Sequence, residues 1–139
     1  MKLHLRVVGK LKSRGLVEYE RGFLDRMRGR DPLEVREFRS QEAALQKPAG
    51  PLVILDERGA QPSSPELAGW LRDYQHAGHG AVTFVIGDAH GFTDEQRAGA
   101  DRVLALSRLT LPHRLARILT VEQLYRACMI LEGHPYHHV

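Results

Sequence analysis

The chain holds a single cysteine, Cys128, among its 139 residues. No internal disulfide framework is therefore possible, and one thiol fits a reducing compartment. No apolar run approaches the roughly 20 residues that a membrane-spanning helix needs. The opening residues, MKLHLRVVG, are too short for a secretory leader and are interrupted by His4 and Arg6. Internal repeats and low-complexity tracts are missing. So are the common phosphate-binding signatures: no Gly-Lys-Ser/Thr closes a P-loop, and no G-x-G-x-x-G follows a strand. These absences predict a cytoplasmic protein without a membrane segment and argue against an ordinary nucleotide-binding site.

What is present is ordinary for a globular protein, with 42% hydrophobic and 27% charged residues. The length predicts one domain, residues 1–139, able to bury its own core. The net charge of +3 leans toward a polyanionic partner such as RNA. The basic residues are scattered, between Arg6 and Arg39 and again at Arg102, Arg108, Arg114, Arg117 and Arg126. A basic surface would have to be assembled by folding or by dimerisation.

Strand and helix patterns alternate along the chain. Residues 3–9 (LHLRVVG) read as a strand ending on glycine, and residues 16–28 as a helix with Val17, Phe23, Leu24 and Met27 on one side. GRDP (residues 29–32) is turn chemistry, LEVREF (33–38) alternates as a half-exposed strand does, and residues 40–46 predict a short helix. LVIL (52–55) and AVTFVI (81–86) are continuous apolar runs, the mark of strands buried on both faces. Between them Ser63 or Ser64 caps a helix with Pro65 and Glu66 in its first turn. Thr93 caps another, with Asp94 and Glu95 where the helix dipole favours negative charge. Residues 102–107 (RVLALS) predict a strand, and Pro112 opens a last helix running to about Gly133. This order predicts an α/β fold with a mostly parallel sheet flanked by helices. Ligands of such sheets bind outside the carboxyl ends of the strands. Three segments fall there: residues 56–59, 87–91 and 107–111.

GDAHG (87–91) is either a site where glycines let the backbone approach a ligand or a plain strand-to-helix loop. LALSRLTLPH (104–113) is either core packing or the wall of a pocket for a flat apolar ring. His134, His137 and His138 lack the accompanying spacing of a metal site, so no metal is expected. His113, at a helix start, could cap, stack or touch a substrate. The last helix is apolar nearly all round, with Leu115, Ile118, Leu119, Val121, Leu124, Tyr125, Cys128, Met129, Ile130 and Leu131. Such a helix is covered on more than one side. Its own chain could do this, but the favoured expectation is an isologous homodimer.

Taken together, MKLHLRVVGK at the start, LDERG (55–59), FVIGDAHG (84–91), LALSRLTLPHRLARILTVEQLYRA (104–127) and the closing HPYHH resemble the ribosomal RNA large subunit methyltransferase H family. These are small SPOUT-class enzymes that N3-methylate a pseudouridine in 23S rRNA. The resemblance spans nearly the whole chain and is most specific over residues 104–136. It implies a SPOUT-type α/β knot with a C-terminal trefoil knot, an exception to the rule that chains do not thread. It implies S-adenosyl-L-methionine as methyl donor, contacted by Leu55, Gly87, Leu106, Ser107, Arg108, Leu109, Thr110 and Leu111. It also implies a homodimer acting on 23S rRNA in the assembled ribosome, with the C-terminal tail helping to build the substrate site. His113, Tyr136 and His137 are then the candidate catalytic residues, and Arg114 and His138 the candidate RNA contacts.

The sequence departs from the family pattern in a few places. Asp88 stands where a second glycine is usual, and a carboxylate there is expected to crowd the cofactor loop. His90 replaces an acidic or small polar residue, residues 40–51 are short, and the tail ends in His138 and Val139 where a Lys or Arg is usual. An ordinary histidine, with a pKa of about 6.5, carries full charge only well below neutrality. These departures admit a rival reading, a non-catalytic RNA- or ribosome-binding knot protein.

Overall fold

The structure, a computed structural model, describes residues 1–138; Val139 lies outside the described residues. Five strands, β1 (Lys2–Val8), β2 (Leu33–Phe38), β3 (Leu52–Ala60), β4 (Ala81–Ile86) and β5 (Arg102–Leu104), form one sheet in the order β2-β1-β4-β3-β5. Every pairing is parallel. The helices are α1 (Arg14–Met27), α2 (Gln41–Leu45), α3 (Ser64–His76), α4 (Asp94–Ala98) and α5 (His113–Glu132).

The two apolar strands predicted to be central lie inside the sheet. β4 is hydrogen-bonded on both edges, with Val82, Phe84 and Val85 fully buried. Its one polar residue, Thr83, exchanges two hydrogen bonds with Ala49: the hydroxyl accepts from Ala49 N and donates to Ala49 O, both at 2.9 Å. The larger core lies on the sheet face covered by α1, α3 and α5, with Leu3, Leu5, Phe23, Leu71, Phe84, Leu124 and Met129 at its centre. The opposite face carries a smaller cluster of Ala44, Ile54, Val85 and Phe92. There Arg6, pointing out of β1, donates to the carbonyls of Ala44, Gln46 and Lys47 and so closes the carboxyl end of α2.

Helix starts follow their capping chemistry. Ser13, Ser40, Ser63 and Thr93 each accept a backbone N–H three residues on. Ser63 with Glu66 and Thr93 with Gln96 complete capping boxes. α5 has no side-chain cap, and Pro112 is its N-cap rather than its first helical residue. At the other end Gly133 adopts φ 72°, Gly133 N–H donates to Ile130 O and His134 N–H to Met129 O. This Schellman arrangement reverses the chain, and only glycine takes that backbone without strain.

Two strands differ from their expected extent. β3 does not stop at Leu55 but runs through Asp56–Arg58 to Ala60, with a bulge between Leu55 and Ala60 against β5. Asp56 Oδ1 accepts Arg58 N–H at 2.8 Å within the bulge. At Gly59 the backbones press so close that a Cβ would fall 2.6 Å from Val103 O. β5 is correspondingly short, because its partner strand ends opposite Leu104, and residues 105–112 are irregular.

α5 is mostly covered by its own chain, against α3 and α1. Its buried residues include Arg117, whose guanidinium makes two hydrogen bonds to Glu20 of α1 (2.8 and 2.9 Å) and one to Glu37 of β2 (2.6 Å). Leu115 and Leu119, 42% and 41% exposed, form an uncovered apolar stripe on the same helix. Cys128 is buried, and burial pushes its thiol up to about 12, so it stays protonated and unreactive. Arg117→Ala strands the Glu20 carboxylate and is expected to lower the unfolding free energy by about 3 to 5 kcal/mol, read as a fall in the urea midpoint. The double variant R117L/E20L leaves no buried charge at that point and is expected to recover part of the loss.

Candidate functional site

The chain leaves β3 for α3 on one face of the sheet and leaves β4 for α4 on the other. A crevice must open between strand ends that part in this way. A cleft of about 490 Å³ lies there, within the range of small-molecule sites. The end of β3 supplies Leu55, Asp56, Glu57 and Arg58. The end of β4 and the following loop supply Ile86 to Phe92, and the β5–α5 connection supplies Leu106, Ser107, Leu109, Thr110 and Leu111. His113 and Ala116, from the first turn of α5, close it.

Seven of the eight residues expected around a cofactor, namely Leu55, Gly87, Leu106, Ser107, Leu109, Thr110 and Leu111, line this one cleft, and Arg108 does not. The β5–α5 connection is exposed at its crest, where Leu109 is 76% accessible, and Ser107 Oγ accepts Leu109 N–H to hold the turn. Leu55, Leu106 and Leu111 give an apolar lining, loop backbone gives a polar rim, and Asp56 and Glu57 bring carboxylates to one wall. Asp56 is nearly buried and pairs with Arg97 at 3.1 Å; Arg97 also binds Phe92 O and Asp94.

His113 Nε2 lies 2.9 Å from Gly87 O. A carbonyl only accepts, so this nitrogen carries a hydrogen. The ring thus ties the first turn of α5 to the end of β4. Arg114 points to a separate small recess with Lys10, Leu11 and Arg117, which His113 also borders.

Tyr136 and His137 are not brought to this cleft by their own chain. After the Gly133 reversal the tail folds back along α5. Tyr136 Oη donates to Glu122 Oε1 at 2.9 Å, its ring meets Tyr125 edge-on at 4.7 Å, and the Arg126 guanidinium sits 4.8 Å from its centre. Arg126 donates to His137 Nδ1 at 3.1 Å, which requires that nitrogen to be unprotonated. Glu122 is nine residues beyond His113, or about 14 Å along the helix. Burial and the Glu122 carboxylate raise the Tyr136 phenol above its usual range, so as docked it is a donor and not a base. His138 is exposed.

Asp88 lines the cleft, with one carboxylate oxygen turned back on its own loop. Its Oδ1 turns back to accept His90 N–H at 2.9 Å, and its carbonyl accepts Gly91 N–H at 3.1 Å, so the carboxylate stabilises its own turn. Sequence reasoning passed over Gln41, which packs behind Gly87, and Phe92 and Arg97, which line the cleft. A lone glutamine at a helix start carries no spacing signal that could have marked it. Among the described residues no helix is long and apolar enough to cross a membrane, and no His, Cys, Asp and Glu side chains gather as metal ligands would.

Residues 1–137 match the family described as "Predicted SPOUT methyltransferase". The chain is 42% identical, over 157 aligned positions covering 99% of each chain, to a ribosomal RNA large subunit methyltransferase H of Geobacter metallireducens. Among solved structures it resembles a probable methylase family protein from Haemophilus influenzae, with a TM-score of 0.64 and 14% identity over 94% of this chain and 66% of that one. It also resembles a probable methyltransferase from Bordetella pertussis, with a TM-score of 0.60 and 18% identity over 91% and 93% of the two chains. These two likenesses bear on the fold alone.

A Cβ at position 87 would fall 2.2 Å from Gln41 Oε1 and 3.0 Å from Phe92 Cζ. Gly87→Ala is therefore expected to displace the Gln41 amide and to cost about 1 to 3 kcal/mol, measured as a shift in the urea midpoint.

Proposed function

Because the chain belongs to the ribosomal RNA large subunit methyltransferase H family of SPOUT methyltransferases, we propose that it N3-methylates a pseudouridine of 23S rRNA on the assembled ribosome. The methyl donor in this reading is S-adenosyl-L-methionine, and the working form is a cytoplasmic homodimer. One observation carries the reading: seven of the eight residues marked for the methyl donor, from three separate segments, converge on a single cleft at the carboxyl ends of β3, β4 and β5.

The donor set fits. A flat adenine ring suits apolar walls such as Leu55, Leu106 and Leu111 with backbone amides and carbonyls at their rim, and the Glu57 carboxylate suits hydroxyl or cationic groups. When bound, S-adenosyl-L-methionine supplies a sulfonium methyl as the electrophile. The protein then has two tasks. It must hold the target base in line, which is the source of much of the acceleration. It must also remove the N3 proton, which a uracil-type ring keeps at neutral pH. His113 serves the first task, since its Nε2–H is committed to Gly87 O and fixes the cleft's floor to α5.

For the first task the proposal also looks to Tyr136 and His137 from a second copy, whose docked side chains would orient the target base. On their own chain these side chains sit well along α5 from the cleft, whereas the exposed Leu115 and Leu119 stripe starts beside it, next to Ala116. A second copy seated on that stripe would bring a tail to the mouth of the cleft, with His138 and Arg114 toward RNA. The family's trefoil knot, with the segment after β5 threaded through a preceding loop, belongs to the same proposal.

Purified protein should bind S-adenosyl-L-methionine in calorimetry. It should also transfer its methyl to ribosomes from cells lacking the native activity, with the label mapping to N3 of a pseudouridine. No binding at millimolar donor refutes the cofactor assignment. Light scattering should give a dimer mass, and Leu119→Arg should give a monomer with much reduced transfer; a wild-type monomer at micromolar concentration removes the dimer.

A further inference from the structure

Gln41 lies outside the cleft, in the first turn of α2, yet its side chain serves the cleft's wall. The residue is 6% exposed. Its Oε1 accepts Asp88 N–H at 3.0 Å, and its Nε2 donates to Gly91 O at 3.0 Å and to Gln96 Oε1 at 2.9 Å. Asp88 N can only donate and Gly91 O can only accept, so the amide's orientation is fixed by its partners. One side chain thus grips both ends of the 88–91 loop from behind. It also grips Gln96, whose Oε1 accepts Thr93 N–H and closes the cap of α4.

Gly87 is part of the same arrangement, because the Gln41 amide occupies the space a Cβ would need there. α2 has other ties at both of its ends. Its start is capped by Ser40, and its last carbonyls are held by Arg6. All three Gln41 side-chain bonds go to the loop and to the helix that follows it.

Resting on the reading of the cleft as a methyl-donor site, we propose that Gln41 is a positioning residue: its buried amide, bonded to Asp88 N, Gly91 O and Gln96, sets the 88–91 wall in the shape that binds the donor. The amide is the one common side chain of this size that can accept at one end and donate twice at the other. A carboxylate in its place would still accept from Asp88 N but would face Gly91 O and Gln96 Oε1 with a second acceptor. The protonated acid would restore a donor.

The test is donor binding and steady-state kinetics of wild type, Gln41→Glu and Gln41→Leu across pH 5 to 8. Gln41→Leu keeps the bulk and loses the bonds. It should raise the donor's KM about tenfold, with kcat at saturation within about twofold. Gln41→Glu should bind the donor about tenfold more weakly than wild type near pH 8 and recover toward wild type as pH falls and the buried carboxyl takes up a proton. The neighbouring charges on the loop (Asp88, His90), on α4 (Asp94, Glu95, Arg97), on α2 (Glu42) and on α5 (His113) are common to all three proteins. The ratio to wild type at each pH therefore isolates position 41. Both variants binding within twofold of wild type at every pH overturns the proposal, as does a Gln41→Leu defect confined to kcat. Should Gln41→Glu fold poorly, the KM-against-kcat split of Gln41→Leu decides. Failure of wild type to bind the donor sinks the functional reading instead.

Discussion

The architecture turns on the buried guanidinium of Arg117. Taking that charge out of water is costly and repaid only by close, well-aligned partners. Burial pulls its pKa down, and the hydrogen bonds to Glu20 and Glu37 outweigh burial, so the group is more firmly protonated than a free arginine. Glu37 is answered in turn: burial would raise its pKa, and Arg117 and Leu11 N–H bring it below the ordinary carboxylate range. One side chain of α5 thereby locks α1, the end of β2 and the β1–α1 loop into a single unit. Since α5 carries His113 at one end and the docked tail at the other, the register of this ion cluster sets where both candidate functional groups stand. Apolar packing alone, which is not directional, would let such a helix slide or rotate.

Much of this architecture was legible because it rests on local chemistry. Strands 33–38 and 81–86 fall where alternation and continuous apolarity put them. The serine and threonine caps mark helix starts because an unsatisfied N–H must find an acceptor close in sequence. The features that escaped depend on partners far along the chain. β3 continues through Asp56 and Arg58 because their side chains face outward or pair with Arg97 and Asp94, leaving the backbone free to follow β5. Polar composition made that stretch look like a loop. Gln41 meets its partners about 50 residues on, and no pattern in single-residue spacing records such a contact. Gly87 was marked for close approach of a ligand, and the structure adds a second role. It makes room for a protein amide behind the loop as well as bordering the cleft in front.

The departures from the family pattern look different once their surroundings are known. A carboxylate in a glycine-rich loop invites concern about crowding; Asp88 does line the cleft, but one of its oxygens is engaged by the N–H of His90. The histidine tail is likewise less free than its composition suggests. His137 is held through a bare Nδ1 by Arg126, and Arg126 is held by two bonds to Glu122.

The tail and the cleft are thus two ends of one rigid rod. The chain reverses at Gly133, and Tyr136 is pinned to Glu122, so the tail cannot reach back to its own cleft without breaking a buried aromatic contact with Tyr125 and a charge-assisted hydrogen bond. The same helix fixes its own tail far from its own cleft and leaves Leu115 and Leu119 exposed beside that cleft, and this pairing of features is what the proposed dimer would use. In an isologous pair each uncovered stripe meets its equivalent, and each tail is carried toward the other chain by the same twofold operation. The stiffness that separates the two groups within one chain is what would let symmetry unite them between two.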